Sequence, residues 1–93
     1  MNPDLEAPAG TPIVTLACGE AVFSNDPRWR DELLARHRHV LTLRHLGVQA
    51  RRDYLANVER VEGAESAKRL KAAYAADWQE RKAAADAAKE QAA

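Results

Sequence analysis

The chain has 93 residues, enough for one small domain, and its 14 Lys and Arg balance its 14 Asp and Glu. A formal net charge of zero removes the simplest electrostatic argument for a nucleic-acid-binding protein. The lone Cys18 excludes an internal disulfide, and no run approaches the roughly 18 apolar residues of a membrane span. Because the N-terminus also lacks the charged and apolar regions of a secretory signal, we expect a cytoplasmic protein.

The stretch IVTLACGEAVF, residues 13–23, predicts a short β-hairpin because it is rich in β-branched and apolar residues. Cys18–Gly19 is the expected two-residue turn, although cysteine is a poor first residue for such a turn. This turn would pair Leu16 with Ala21 and Val14 with Phe23, with all four side chains on one face.

The stretch SNDPRWRDELL predicts the start of a first helix. Asp26 can cap it, Pro27 suits the first helical position, and Gly47 offers a stop. On a helical wheel the apolar residues form one stripe about 140° wide, which we expect to face the core. Its members are Trp29, Leu33, Leu34, Val40 and Leu41.

Two further helices follow. The second is predicted over residues 48–62, ending at Gly63, and the third begins near Ala64. The expected buried faces comprise Ala50, Tyr54, Leu55, Val58 and Val61 in the second helix and Ala67, Leu70, Tyr74 and Trp78 in the third. From Ala72 onward eleven of 22 residues are alanine, so the third helix is expected to run past the core as a solvated extension.

All three histidines lie in HRHVLTLRH, residues 37–45. His37 and His39 point about 160° apart on a helix, and His37 and His45 are about 12 Å apart along its axis, so neither pair can chelate a metal. His37 falls within the apolar stripe, where a hydrogen-bonded or partly buried histidine is the ordinary arrangement. The segment therefore predicts a helix face, with no metal site and no cofactor.

Residues 28–71 carry eleven basic and six acidic side chains, whereas both ends of the chain are acidic. The basic residues are scattered around the predicted helices, which is typical of charges that frame apolar faces. They form a nucleic-acid contact only if the packing of the helices brings them together. The candidate binding residues are Arg28, Arg36, Arg38, Arg51 and Arg52.

Catalytic chemistry has no support in the sequence. Neither Ser24 nor Ser66 lies beside a candidate base, and no glycine-rich phosphate loop is present. Cys18 has no neighbouring cation in sequence to lower its pKa. We predict a protein with no catalytic residues.

The stretches SNDPRWRDELLAR and RRDYLANVERVEGAESAKRLKAAYAADW resemble a family of small uncharacterised proteins of proteobacterial phages and prophages. The matching residues are Ser24, Trp29, Arg30, Ala35, Arg36, Arg51, Arg52, Tyr54, Leu55, Val58, Glu59, Gly63, Leu70 and Trp78. The resemblance covers about residues 13–80. Leu33 and Leu34 stand where family members often have Cys and Glu, and the resemblance implies no known activity.

These observations predict a small α+β domain, mostly α, with an N-terminal hairpin followed by three helices, the last one extended. Residues 1–12 are expected to form a disordered leader, 13–80 the domain, and 81–93 an Ala-rich helical tail. The function we expect is that of a non-enzymatic phage-type accessory protein in the bacterial cytoplasm. It would bind a host or phage protein, with anti-CRISPR-like inhibition of a host defence complex as a special case.

The alternative is a weak nucleic-acid-binding accessory protein that uses the basic middle segment. Self-association is also open, because a core of about fifteen large side chains supplies only about 3–5 kcal/mol of net stability.

Overall fold

A short antiparallel hairpin precedes three helices in the computed structural model, which describes residues 10–92. The elements are β1 (Ile13–Thr15), β2 (Ala21–Phe23), α1 (Pro27–Leu43), α2 (Val48–Glu62) and α3 (Ala64–Ala92). The predicted fold class, element order and extended last helix are confirmed. Most of the predicted leader, residues 1–9, lies outside the described residues.

The hairpin has a different register from the predicted one. Val14 pairs with Val22 and Thr15 with Ala21, because the turn contains three residues rather than two. The backbone N–H of Leu16 donates to the carbonyl of Glu20 at 2.8 Å, which leaves residues 17–19 as the loop. Gly19 occupies the last loop position with φ +98°, the geometry of a turn followed by a left-handed residue.

A one-residue slip moves every side chain of a strand to the other face. Val22 is therefore buried on the face that carries Leu16, whereas the expectation that Ala21 and Phe23 share a face with Leu16 is wrong: both are exposed on the other face. Cys18 lies in the loop and is exposed, as a turn position predicts.

The helix ends follow the local sequence closely. Asp26 caps α1, its carboxylate accepting a hydrogen bond from the backbone N–H of Arg28 at 2.8 Å, and Pro27 is the first helical residue. Gly47 is the N-cap of α2 and lies four residues after the end of α1. Gly63, with φ +100°, separates α2 from α3 in the left-handed region that glycine tolerates.

The apolar core lies where the three helices meet, and α3 packs against both α1 and α2. Its buried members are Val40, Leu43, Val58, Ala67 and Leu70, with Leu46, Tyr54, Leu55, Ala73 and Tyr74 packed around them. Within residues 10–91 no polar or charged residue is buried. Val61 and Trp78, both expected in the core, are 66% and 45% exposed.

Beyond Trp78, every side chain of α3 through Gln91 is exposed. This projecting segment helps to make the radius of gyration 17.0 Å, against about 12 Å for a compact domain of this length. None of the helices in the described chain combines the length and apolar character needed to cross a membrane.

Candidate functional site

Helix α1 has two distinct faces. The inner face comprises Trp29, Glu32, Arg36, His39, Val40 and Leu43, which span about 100° of the helical wheel and are buried or half-buried. Leu33, Leu34 and Leu41 lie on the neighbouring face and are 43%, 48% and 38% exposed. The predicted apolar stripe is therefore buried only along the edge that carries Trp29 and Val40, and the assignment of its three leucines to the core is wrong.

The orientation of α1 follows from polar contacts made by Glu32. Its carboxylate accepts a hydrogen bond from the backbone N–H of Ala17 at 2.7 Å, which ties the hairpin to α1. It also accepts from the guanidinium groups of Arg36 at 2.5 Å and Arg69 at 2.9 Å. Because Ala17 and Arg69 lie outside α1 on its inner side, α1 cannot turn its leucines inward without breaking these two contacts.

Arg69, from α3, completes the cluster of polar contacts around Glu32, which we call the hub. Its guanidinium donates to the backbone carbonyl of Thr15 at 2.7 Å and to the carboxylate of Glu65 at 2.8 Å, in addition to Glu32. Partial desolvation acts to raise the pKa of Glu32, but the hydrogen bonds from Ala17, Arg36 and Arg69 outweigh it and hold the pKa below its ordinary value. The hub thus connects the hairpin, α1 and α3 around one ionised carboxylate.

We define the leucine face as Leu33, Leu34, His37 and Leu41. Arg30 projects from the middle of this face and Arg38 borders it, as the helical spacing requires. Within residues 10–92, the guanidinium group of neither arginine has a hydrogen-bond or ion-pair partner. His37, expected to be partly buried in the stripe, is exposed.

An open groove of about 330 Å³ runs between the leucine face and α3. Leu33, His37 and Val40 line its α1 side. Its α3 side is formed by Ala73, Ala76, Asp77 and Glu80, and Arg36 also lines it. Two small alanine side chains on that side leave room for a side chain supplied by another molecule.

Asp77 links α1 to α3 at this groove. Its carboxylate accepts hydrogen bonds from the Nε of Arg81 at 2.8 Å and from the guanidinium of Arg44, whose Nε lies 3.0 Å away. The hydrogen bonds from Arg44 have the largest effect on the pKa of Asp77. Desolvation acts to raise this pKa, but the hydrogen bonds from Arg44 and Arg81 together lower it to about 2.

These lowered pKa values predict acid sensitivity. A carboxyl whose pKa is lower in the folded than in the unfolded state stabilises the fold above its unfolded pKa and loses that contribution as pH falls through the folded pKa. The ordinary pKa is 4.5 for Glu32 and 3.8 for Asp77, and folding lowers both, that of Asp77 to about 2. Stability should therefore fall between about pH 4.5 and pH 2. Denaturant midpoints at pH 7, 4 and 2.5 measure this loss.

The variant Asp77→Asn is the matched comparison, because it removes the titrating group and keeps the side chain's size. Its stability should fall less steeply than that of the wild type between pH 4 and pH 2.5. Equal slopes would show that Arg44 and Arg81 do not lower the pKa of Asp77 in solution.

A second, smaller cavity of about 100 Å³ lies among the three helices. His39 and Glu62 line it, and Nε2 of His39 is 2.9 Å from the carboxylate of Glu62. Nδ1 of His39 is 2.5 Å from the hydroxyl of Tyr54. Glu32, Arg36 and Ser66 also line it. Its volume equals that of about three water molecules, too small for a metabolite.

No local sequence pattern pairs His39 with a carboxylate, because Glu62 lies 23 residues away and only the folded chain brings the two together. In the described part of the chain, His, Cys, Asp and Glu form no group of three or more that could hold a metal ion.

The five nominated arginines do not form one surface. Arg28 lies at the start of α1 and Arg51 at the start of α2, near opposite ends of a helix about 25 Å long. Three of the five make internal contacts: Arg28 with Glu20 and Asp26, Arg36 with Glu32, and Arg51 with the carbonyl of Leu46 and, 5.5 Å from the ring centre, with Tyr74. The side chains of Arg38 and Arg52 have no such contact within residues 10–92.

The residues that sequence reasoning missed are those of the hub. Glu32 and Arg69 were not nominated, although Glu32–Arg36 and Glu65–Arg69 are each spaced by four, the separation of a helical ion pair. That spacing signals ion pairs within one helix, but not the contact between Glu32 and Arg69.

Comparison of the chain with protein-family models, with curated proteins and with solved structures found no match.

Proposed function

We propose that this chain is a non-enzymatic interaction protein that binds another protein through the leucine face of α1. The observation that carries the proposal is the exposure of Leu33, Leu34 and Leu41, three large apolar residues clustered on one helix face. Exposed apolar residues scattered singly are ordinary, whereas a cluster beside a groove is typical of an interaction site. The resemblance to phage proteins adds the expectation that the partner is a host or phage protein, with inhibition of a defence complex as the special case.

The energetics favour docking at this face. Removing the exposed part of each leucine from water is worth about 25 cal/mol for every Å² buried, and the hub already holds α1 in place. The partner therefore gains an apolar contact without having to reorganise the helix.

The nucleic-acid alternative requires basic side chains that are free to contact phosphates on one surface. Arg36 and Arg51 are held by internal contacts, and Arg28 is paired with Glu20 and Asp26. Of the five candidate arginines, the described part of the chain then leaves only Arg38 and Arg52 free to contact phosphates. This arrangement favours the protein-binding proposal.

The test is affinity capture from bacterial lysate, with and without nuclease, using the wild type and the double variant Leu34→Ser/Leu41→Ser as baits. We expect a partner that withstands nuclease and is lost with the double variant, because serine removes the apolar contact. Val61→Ser is the matched control, since Val61 is 66% exposed but lies on α2. It should retain the partner.

Retention of every partner by the double variant would contradict the proposal. Loss of all partners on nuclease treatment would favour the nucleic-acid alternative, which also predicts that affinity falls by orders of magnitude between about 50 and 200 mM salt.

A further inference from the structure

The charges around the leucine face indicate which charged groups its partner carries. Arg30 on the face and Arg38 at its border have no acidic partner within residues 10–92, whereas Arg28, Arg36 and Arg44 of the same segment each pair with a carboxylate. His37 on the same face is exposed. Desolvating an unpaired guanidinium is costly, so an occupant that supplies carboxylates would bind with less penalty.

We propose, resting on the proposed function, that the occupant is an acidic amphipathic helix. Its apolar residues, spaced by three or four, would contact the leucines, and its Asp or Glu side chains would pair with Arg30 and Arg38. The geometry suits a helix because Leu33, His37 and Leu41 are spaced by four along α1 and form a ridge that can pack into the groove of another helix.

The groove between α1 and α3 determines where the partner's largest side chain goes. With a volume of about 330 Å³ and Ala73 and Ala76 on its α3 side, it accepts a leucine or phenylalanine from the docked helix. Two acidic groups lie nearby: Asp77, already paired with Arg44 and Arg81, and Glu80 on the far side of the groove. The acidic residues of the partner should therefore point toward α1 and away from α3.

A second copy of this chain fits the face less well. A two-fold contact through α1 would bring Arg30 and Arg38 of one copy against the same residues of the other. Asp31, beyond the border of the face, is the one acidic residue of α1 outside the Glu32 hub. Like charges in one interface oppose association, so self-association through this face is disfavoured.

The test uses three synthetic peptides of about 18 residues with high helix propensity. The first carries leucines at positions spaced by three and four with glutamates beside them, the second replaces the glutamates by lysines, and the third replaces the leucines by serines. Fluorescence anisotropy measures their binding to the full chain at low ionic strength. We expect the acidic peptide to bind at least about tenfold more tightly than the basic one.

Protein variants separate the two proposals. The variant Arg30→Gln/Arg38→Gln should remove the preference for the acidic peptide while keeping its leucine-dependent binding. The variant Leu34→Ser/Leu41→Ser should weaken the binding of both the acidic and the basic peptide. Equal binding of the acidic and basic peptides by the wild type would overturn the acidic partner but leave the leucine face as a binding site. Binding by neither would overturn both proposals.

Two further outcomes would identify a different occupant. Sedimentation equilibrium that shows a dimer in the wild type, but not in Leu34→Ser/Leu41→Ser, would replace the acidic helix by a second copy. Leucine-dependent co-sedimentation with anionic lipid vesicles, without binding of the acidic peptide, would replace it by a membrane surface.

Discussion

Leu43→Ala should lower the free energy of unfolding by about 2–5 kcal/mol, the usual cost of truncating a fully buried leucine. Leu43 is 0% exposed and lies in the core with Val40 and Leu70. The core is small, so few neighbouring side chains can move into the space that the truncation leaves. Denaturant unfolding followed by circular dichroism measures the loss.

The matched control is Leu41→Ala, two positions away on the same helix. Leu41 is 38% exposed, and its replacement should cost well under half as much, because much of its surface already contacts water. If Leu43→Ala leaves too little folded protein, Leu43→Met gives a milder loss, below about 1.5 kcal/mol, that is still measurable. A larger loss for Leu41→Ala than for Leu43→Ala would mean that α1 turns its leucines inward.

Glu32→Ala should lower the free energy of unfolding by about 1–3 kcal/mol. The substitution leaves the backbone N–H of Ala17 without its acceptor and removes one carboxylate partner from both Arg36 and Arg69. Because this carboxylate joins the hairpin to α1 and α3, its loss affects three elements at once. Thermal and denaturant unfolding of the purified variant measure the effect.

Two comparisons make this prediction specific. Glu32→Gln retains an oxygen that can accept from Ala17 and loses only the charge, so its cost should be smaller than that of Glu32→Ala. Glu59→Ala removes an exposed carboxylate of α2 and should be nearly neutral. Similar stabilities for Glu32→Ala and Glu59→Ala would mean that the hub does not hold the hairpin in solution.

The helix boundaries could be predicted because they depend on local chemistry. Asp26 and Pro27 start α1 through a cap and a fixed backbone angle, and Gly63 separates α2 from α3 by adopting a positive φ. The hairpin itself was predictable for the same reason, from its β-branched residues. Its register was not, because a two-residue and a three-residue loop both place a turn at Cys18 and Gly19, and they differ by one position in the pairing.

The orientation of α1 could not be read from its hydrophobic pattern. Leu43 lies about 160° from Leu41 on the helical wheel, so the two residues cannot both lie at the centre of the buried face. The pattern favoured Leu41 because Leu33 and Leu34 extend the same stripe. The structure buries Leu43 instead, because the partners of Glu32 come from the hairpin and α3, which no periodicity within α1 can show.

The candidate site is a consequence of that difference between pattern and packing. The sequence identified the three leucines of the leucine face as one apolar group, and the structure leaves that group in contact with water. Its basic neighbours, Arg30 and Arg38, differ from the paired arginines only in the folded chain. The hydrophobic pattern of α1 therefore predicts the surface as one group of residues but wrongly places it in the core.

The exposure of the leucine face is tested most directly by NMR with a soluble paramagnetic agent, which measures the solvent exposure of the leucine methyl groups in the monomer. The methyl signals of Leu33, Leu34 and Leu41 should relax much faster than those of Leu43 and Leu70, which are 0% and 1% exposed. Protection of the leucine face to the same degree as Leu43 and Leu70 would contradict the account, since it would leave no apolar surface for a partner.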